Sequence, residues 1–391
     1  MLPLAGITVV SVEHAVAAPF ASRQLADMGA RVIKIERPGC GDFAREYDTT
    51  VRGLSSHFVW LNRSKESLTL DLKRAGPEVL PRLLACADVF LHNLTPGAIE
   101  RLGFGSAALR TAYPRLIVCE VSGYGSDGPY RDRKAYDLLM QSEVGLLSIT
   151  GTPEAPSKTG ISVADIAAGM YAFSGILTAL FSRERSGAGT LLQVSLFDAL
   201  AEWMGYPLNY TEYGGTPPPR TGASHATIAP YGPYAAKDGV AVYLAIQNER
   251  EWQRFCAGVL ADPGLAADPR FATNANRVLH RPALDTAIAG VFGALSGDEI
   301  DSRLDAHAIG YARMNTVAEF AQHPQLRLRD RWQKVASPVG TLRALRPPII
   351  SDTLETGAGA IPALGEHTNA ILGELGFSEA AIAAWRDAGA V

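Results

Sequence analysis

The chain has 391 residues, of which 47% are hydrophobic and 19% charged, with a formal net charge of −4. This balance is typical of a soluble globular protein with enough apolar material for two domains or one elaborate domain, and its slight acidity argues against nucleic acid or a membrane surface as a partner. The four cysteines are scattered without a C-x-x-C pair, and the N-terminus lacks the basic region of a signal peptide. Both features favour a location in the reducing cytoplasm.

The first third of the chain predicts alternating strands and helices. ITVVSVE (7–13) and RVIKIE (31–36) resemble buried strands, and APFASRQLADMG (18–29) between them is typical of a helix. Further strands are predicted at SLTLDL (67–72), ADVFLHN (87–93) and RLIVCEVS (115–122). The alternation predicts an α/β fold with a Rossmann-like, mostly parallel sheet covered on both faces.

Asp165 stands directly before a long apolar run that reads as a helix with a stripe of small residues. The run from Ile166 to Phe181 falls short of the ~20 residues that span a bilayer. As a helix N-cap, Asp165 would be worth about 1 kcal/mol. As a nucleophile, it would profit from the unpaired N–H groups and the helix dipole, which favour the carboxylate anion. The pattern leaves both roles open.

The second half predicts a smaller domain inserted into a larger one. TPPPRTG (216–222) is a candidate linker, and PYGPYAAKDGVAVYLAI after it reads as a hairpin. We therefore predict a large domain from 1–215 and 316–391, a linker at 216–224 and a small α+β domain at 225–315.

Several catalytic and binding motifs are weak or missing. GYGSDG (123–128) matches G-x-G-x-x-G, but loop-forming residues follow it where a dinucleotide site needs a helix. GISVA (160–164) is half of a nucleophile elbow, which supports a serine hydrolase poorly. The histidines are dispersed, so no metal site is predicted.

Basic residues follow several of the predicted elements. They could line one crevice at the end of a parallel sheet and bind a polyanion such as coenzyme A. These residues are Arg37, Lys73, Arg101, Arg133 and Lys134.

An ordered set of stretches resembles the family III CoA-transferases, the group that includes formyl-CoA:oxalate and carnitine CoA-transferases and the α-methylacyl-CoA racemases. The stretches are LAGITVVSVEHAVAAPF, GARVIKIERPGCGD, LNRSKESLTLDLK, DVFLHNLTPGAIERLG, SGYGSDGPYRDRKAYDLLMQ, ISVADIAAGMYAFSGILTAL, GTLLQVSLFDAL and LGEHT. The resemblance implies a large α/β domain built from both chain ends, a small inserted domain and an interlocked homodimer.

The resemblance also implies a chemistry. Asp165 would attack an acyl-CoA thioester to form an aspartyl-acyl anhydride, the CoA thiolate would return to give an aspartyl-CoA thioester, and an acceptor acid would take over the CoA. No permanently bound cofactor and no metal are implied. By position, the residues expected to contact CoA are Val16, Ala17, Arg37, Leu70, Lys73, Asn93, Leu94, Arg101, Lys134 and Asp137.

The sequences of these motifs are most similar to those of family members that move CoA from succinyl-CoA to a short C4–C5 dicarboxylate such as itaconate, mesaconate, malate or citramalate. The candidates for contacts to the acceptor are Arg45, Arg52, Tyr136 and His225. The alternatives are a racemase-type isomerase and a CoA-binding protein without turnover. Tyr136 stands where the racemases carry a catalytic histidine, and 222–233 lacks the glycine run of the oxalate-type lid, so the resemblance disfavours racemisation and oxalate.

Overall fold

A computed structural model describes residues 2–391. These residues form two compact units. The first comprises the chain up to Val144, Thr159–Met204 and Gln325–Val391, and the second comprises Gly145–Lys158 and Gly205–Pro324. The domain boundaries inferred from the sequence, at 215 and 316, remain a prediction.

The first unit is built around a six-stranded sheet in which every neighbouring pair is parallel. Its strands are β1 (Thr8–Val12), β2 (Arg31–Glu36), β3 (Lys65–Thr69), β4 (Val89–His92), β5 (Ile117–Ser122) and β6 (Leu191–Ser195). Their order is β3-β2-β1-β4-β5-β6, the doubly wound order. The structure therefore confirms the predicted α/β fold with a large parallel sheet, and the order reverses between β1 and β4.

The central strands are apolar because helices cover both faces of the sheet. Val10 lies opposite Ile33 on one side and Phe90 on the other, and all three side chains are almost fully buried. Consecutive residues of β1, such as Val9 and Val10, are both inaccessible to solvent, which a sheet with one wet face would not allow.

Helices connect the strands and make up much of the second unit. They are α1 (Ala17–Asp27), α2 (Ser56–Leu61), α3 (Gly76–Ala85), α4 (Ala98–Arg101), α5 (Ser106–Ala112), α6 (Asp137–Glu143), α7 (Leu146–Ile149), α8 (Val163–Ser186), α9 (Leu196–Trp203), α10 (Gly205–Gly214), α11 (Glu249–Arg254), α12 (Gly264–Ala267), α13 (Asn274–Leu279), α14 (Arg281–Phe292), α15 (Gly297–Ala306), α16 (Val317–Phe320), α17 (Pro324–Leu328), α18 (Thr368–Glu374) and α19 (Glu379–Asp387).

Helix α8 packs against α1 through small residues. A Cβ atom on Gly169 would lie 2.7 Å from the carbonyl oxygen of Ala17 and 3.0 Å from the ring of Phe20, so this close approach requires glycine. The 24-residue helix extends beyond the predicted apolar run at both ends, and by length and composition alone it is long and apolar enough to cross a membrane. Half of the residues in the most apolar stretch of this helix are buried within the protein, as in a core helix.

The C-terminal segment covers the edge of the sheet. β3 is an edge strand, and its free backbone N–H groups need partners. The N–H of Ser67 donates to Nδ1 of His367 at 3.2 Å, and that of Thr69 donates to Oγ1 of Thr368 at 3.0 Å. The LGEHT stretch therefore returns to the first unit. A separate antiparallel hairpin, β10 (Trp332–Val335) and β11 (Leu342–Leu345), precedes it in the chain.

The second unit contains an antiparallel three-stranded sheet of β7 (Tyr231–Ala235), β8 (Ala241–Ala245) and β9 (Gly310–Arg313). The predicted hairpin corresponds to β7 and β8. The core behind this sheet combines aliphatic residues with large aromatic ones, of which Trp252, Phe255, Phe271 and Phe292 are almost fully buried.

Candidate active site

Asp165 occupies the first turn of α8, where its side chain is half-buried. The N-cap position belongs to Ser162, so Asp165 is the third residue of the helix and not its cap. A carboxylate from outside the helix takes the capping role. Oδ1 of Asp137 accepts from the backbone N–H of Ala164 at 2.8 Å and from that of Asp165 at 3.4 Å. Of the two roles that the sequence leaves open for Asp165, the N-cap is therefore not the one that it takes.

Asp137 is held in this position by a buried amide. Nε2 of Gln141, one turn along α6, donates to Oδ2 of Asp137 at 2.7 Å. Oε1 of the same fully buried glutamine accepts from the backbone N–H of Thr159 at 3.0 Å. The carboxylate that caps α8 is therefore fixed from both sides.

Burial and the neighbouring carboxylate disfavour the anionic form of Asp165. Desolvation raises the pKa of Asp165 to about 7, and the negative charge of Asp137 adds to the rise. The expectation that the helix N-terminus stabilises the anion was wrong in direction, because Asp137 already occupies the N–H groups concerned. Asp165 is consequently a more basic carboxylate than an exposed aspartate.

The Tyr47 hydroxyl interacts electrostatically with Asp165 and with Tyr136. Burial raises the pKa of Tyr47 to about 12, with further contributions from the charges of Asp42, Asp165 and Tyr136. The Tyr47 hydroxyl therefore stays protonated near neutral pH and keeps its capacity to donate a hydrogen bond. Sequence reasoning missed Tyr47, since an aromatic residue in the loop after β2 carries no motif.

A cleft of about 1070 Å³ opens at the carboxyl ends of β1 to β4, where the strand order reverses. Doubly wound folds bind ligands at this position. Of the ten residues predicted to contact CoA, five line the cleft: Arg37, Leu70, Lys73, Leu94 and Arg101. Arg37, Lys73 and Arg101 are exposed, so three cations face a space of the size that a nucleotide needs. The residues fit a polyanion such as CoA.

His14 is a cleft residue that the sequence interpretation did not single out. It is the second residue after β1, and its ring stacks on that of Phe43 with centroids 5.3 Å apart. Nδ1 of His14 is buried and has no hydrogen-bond partner among residues 2–391. Its place after the first strand is the signal that could have identified it.

The other five predicted contacts are not among the residues that line this cleft in the described part of the chain. Val16 and Ala17 are almost fully buried at the start of α1, and Asn93 binds the backbone of His14. Lys134 is exposed on the loop before α6, and Asp137 caps α8.

The four candidates for acceptor contacts differ in their availability. Arg45 is engaged in two hydrogen bonds to Glu36, of 2.8 and 2.7 Å, and lies 3.7 Å above the centre of the Phe58 ring. Arg52 is exposed and donates to the carbonyl of Val339 at 3.4 Å. Tyr136 is 64% exposed. In the second unit, the ring of His225 stacks on that of Tyr231.

The GYGSDG stretch remains a loop, as predicted, and the next helix, α6, begins only at Asp137. No group of three or more His, Cys, Asp or Glu side chains suited to a metal ion occurs among residues 2–391.

The chain matches the protein family described as CoA-transferase family III over residues 4–368. It belongs to this family of enzymes. The chain is 34% identical to the succinate–glutarate CoA-transferase of Agrobacterium fabrum over 95% of its own length and 96% of the relative. It is 32% identical to the succinyl-CoA–D-citramalate CoA-transferase of Chloroflexus aurantiacus, covering 95% and 94% of the two chains. The crystal structure of a CAIB/BAIF family protein from Brucella suis is similar, with a TM-score of 0.82 and 32% identity over 95% and 99% of the two chains.

We expect the variant Asp137→Asn to lower the pKa of Asp165, because the amide oxygen can still cap α8 while the repelling charge is removed. The acidic limb of the pH profile of kcat/KM should then move to lower pH. Asp127→Asn, which removes the same charge from an exposed loop position, is the control. An acidic limb at the same pH in both variants would show that Asp137 does not act on Asp165 electrostatically.

Proposed function

We propose that Asp165 is the nucleophile of a CoA-transferase that moves CoA from succinyl-CoA to a small carboxylic acid, a C4–C5 dicarboxylate. The single observation that carries the proposal is the half-buried carboxylate in the first turn of α8 in a member of this family. Its pKa, raised to about 7, makes it more basic and hence more reactive toward a thioester than an ordinary aspartate.

The proposed reaction conserves the energy of the thioester. An oxygen of Asp165 attacks the thioester carbonyl, the C–S bond breaks and CoA leaves as thiolate, which gives a mixed anhydride. The thiolate then attacks the aspartyl carbonyl and expels succinate. The acceptor carboxylate next displaces the thiolate from the aspartyl thioester, and the thiolate finally takes the acceptor acyl group, which releases Asp165. Every step exchanges one activated acyl group for another, so the cycle needs no ATP.

The side chains around the cleft and Asp165 have separate roles in this proposal. Arg37, Lys73 and Arg101 hold the phosphates of CoA. The protonated Tyr47 hydroxyl can donate to the oxygen that becomes negative when Asp165 attacks. Of the two arginine candidates for the second carboxylate of the acceptor, Arg52 is the more available, because it is exposed while Arg45 is already paired with Glu36.

The named relatives support a dicarboxylate acceptor. The relatives from Agrobacterium fabrum and Chloroflexus aurantiacus are named for glutarate and D-citramalate, and another, 36% identical over 84% of this chain, is an acetyl-CoA:oxalate CoA-transferase from Acetobacter aceti. The test is the initial rate with succinyl-CoA and a panel of acceptors: itaconate, mesaconate, malate, citramalate, glutarate and oxalate. A dicarboxylate of four or five carbons should have the highest kcat/KM, whereas preference for oxalate or for a monocarboxylate would overturn the acceptor class.

We expect kcat/KM for succinyl-CoA to fall as the pH drops through about 7. The reacting form of Asp165 is the anion, and its pKa is raised to about 7, so protonation removes it below that pH. At pH 6 the rate should be about one tenth of its plateau above pH 8. A rate that stays at its plateau down to pH 5 would indicate an aspartate with an ordinary pKa.

We further propose that the protein is cytoplasmic and forms the interlocked homodimer that the family resemblance implies. Large apolar side chains between residues 314 and 354 support a partner chain, since they are exposed in the single chain: Met314 72%, Val317 85%, Leu328 79% and Ile350 59%. Light scattering on the purified protein should give twice the 41.6 kDa mass of the chain. A monomeric mass would exclude the dimer.

A further inference from the structure

The turn between β1 and α1 is held by a side chain from the end of another strand. Oδ1 of Asn93, which follows β4, accepts from the backbone N–H of His14 at 2.9 Å. Nδ2 of the same amide donates to the carbonyl oxygen of His14 at 2.8 Å. One side chain thus satisfies both backbone groups of a residue 79 positions earlier in the chain.

The next residue of the turn has a strained backbone. Ala15 has φ +62°, in the left-handed region that alanine rarely adopts. Its N–H donates to Oδ1 of Asp42 at 3.1 Å, and Oδ2 of this fully buried carboxylate is bound to Nζ of Lys34 at 2.8 Å. Two anchors, Asn93 on His14 and Asp42 on Ala15, therefore keep the turn in a conformation that it would otherwise leave.

The position of this turn determines two parts of the site. The His14 side chain forms part of the wall of the cleft. Two residues after Ala15, the carbonyl of Ala17 lies in close contact with Gly169 of α8. Gly169 follows Asp165 by four residues and so lies on the same face of the helix. A movement of the turn would displace the cleft wall and the helix that carries Asp165 together.

We propose that Asn93 is a positioning residue, which acts on the reaction through the His14–Ala15 turn. The inference rests on the proposed role of Asp165. This role is distinct from the contact to CoA that the family resemblance implies for Asn93: both ends of the amide bond to the backbone of His14, while its second N–H and second oxygen lone pair remain for a ligand.

The test compares the variant Asn93→Ala in two backgrounds, the natural chain and Ala15→Gly. In the natural chain, loss of the two hydrogen bonds between Asn93 and His14 lets Ala15 leave the left-handed region. We therefore expect kcat/KM for succinyl-CoA to fall roughly tenfold to a hundredfold, with kcat reduced as well as KM raised. Glycine adopts positive φ freely, so in the Ala15→Gly background the same substitution should lower kcat/KM by less than about threefold. Asn93→Asp keeps the acceptor for the N–H of His14 but loses the donor, and its loss should be intermediate.

Three outcomes would overturn the proposal. An equal loss in both backgrounds, confined to KM and to the dissociation constant of CoA in calorimetry, would show that Asn93 contacts CoA directly. A lower melting temperature with unchanged kcat and KM of the folded protein would show a purely structural role. Unchanged kcat, KM and melting temperature would show that the two hydrogen bonds between Asn93 and His14 are dispensable. These outcomes can be distinguished from a failure of the proposed role of Asp165. If Asp165 is not the nucleophile, the unsubstituted protein will form no aspartyl adduct.

Discussion

The variant Asp165→Asn should retain less than about one thousandth of the transferase activity, because an amide cannot attack the thioester and form the anhydride. The geometry of the site should survive the substitution. The start of α8 is capped by Asp137, and no side-chain hydrogen bond of Asp165 contributes to the cap. The measurement is the initial rate of succinyl-CoA consumption with the best acceptor, alongside the affinity for CoA, which should stay within a factor of about two.

The stability of the same variant provides an independent check. The pKa of Asp165 is raised by burial, so ionisation costs folding free energy that is absent near pH 4, grows as the pH rises toward 7 and stays constant above that. Asparagine removes this cost. The variant should therefore unfold at the same or a higher temperature than the natural chain at pH 8, with no gain at pH 4. A variant that is inactive but markedly less stable at pH 8 would instead point to a structural role.

Arg101→Ala should raise the KM for succinyl-CoA by about 10- to 100-fold and leave kcat nearly unchanged. A hydrogen bond from a charged group contributes about 1.5–3 kcal/mol, and Arg101 lines the cleft as an exposed cation. Succinyl-pantetheine lacks the whole 3′-phospho-ADP portion of CoA, so the substitution should not affect its kcat/KM. Arg110→Ala removes an equally exposed arginine from α5, outside the cleft lining, and serves as the control.

Two results would contradict this assignment. An equal loss with succinyl-CoA and with the shortened thioester would place Arg101 away from the nucleotide. A fall in kcat at unchanged KM would give the arginine a role in the chemical steps and not in binding.

Five of the six strands of the large sheet could be predicted, all except β6, because their signals are local. β2 was predicted at its observed bounds, Arg31–Glu36, since a run of apolar residues with one lysine ends at the loop that carries Arg37. β3 was predicted at 67–72 but lies at Lys65–Thr69. Lys65 reads as a surface residue in the sequence, yet its Nζ is buried and bound to Oε1 of Glu13 at 2.7 Å. The partner that permits this burial is 52 positions away, so the strand start could not be inferred locally.

The site was predictable in its residue types and much less in its electrostatics. The pattern around Asp165 indicated a helix start, and family resemblance indicated the nucleophile. The upward pKa shift of Asp165 follows instead from its burial, and a carboxylate 28 positions earlier in the sequence, Asp137, adds to it and takes the N–H groups of the first turn. Similarly, nothing in the sequence around Arg45 shows that its guanidinium is paired with Glu36. Contacts between distant segments decide which charged side chains are available to a ligand.

The most direct test of the central claim is to trap the covalent intermediate. The protein would be incubated with succinyl-CoA and hydroxylamine, digested and mapped by mass spectrometry. The proposed mechanism predicts a hydroxamate on the peptide that contains Asp165, dependent on succinyl-CoA and absent from Asp165→Asn. A modification on another residue, or exchange of the α-protons of the acyl group with solvent deuterium without any adduct, would contradict the assignment of Asp165 as the nucleophile of a CoA transfer.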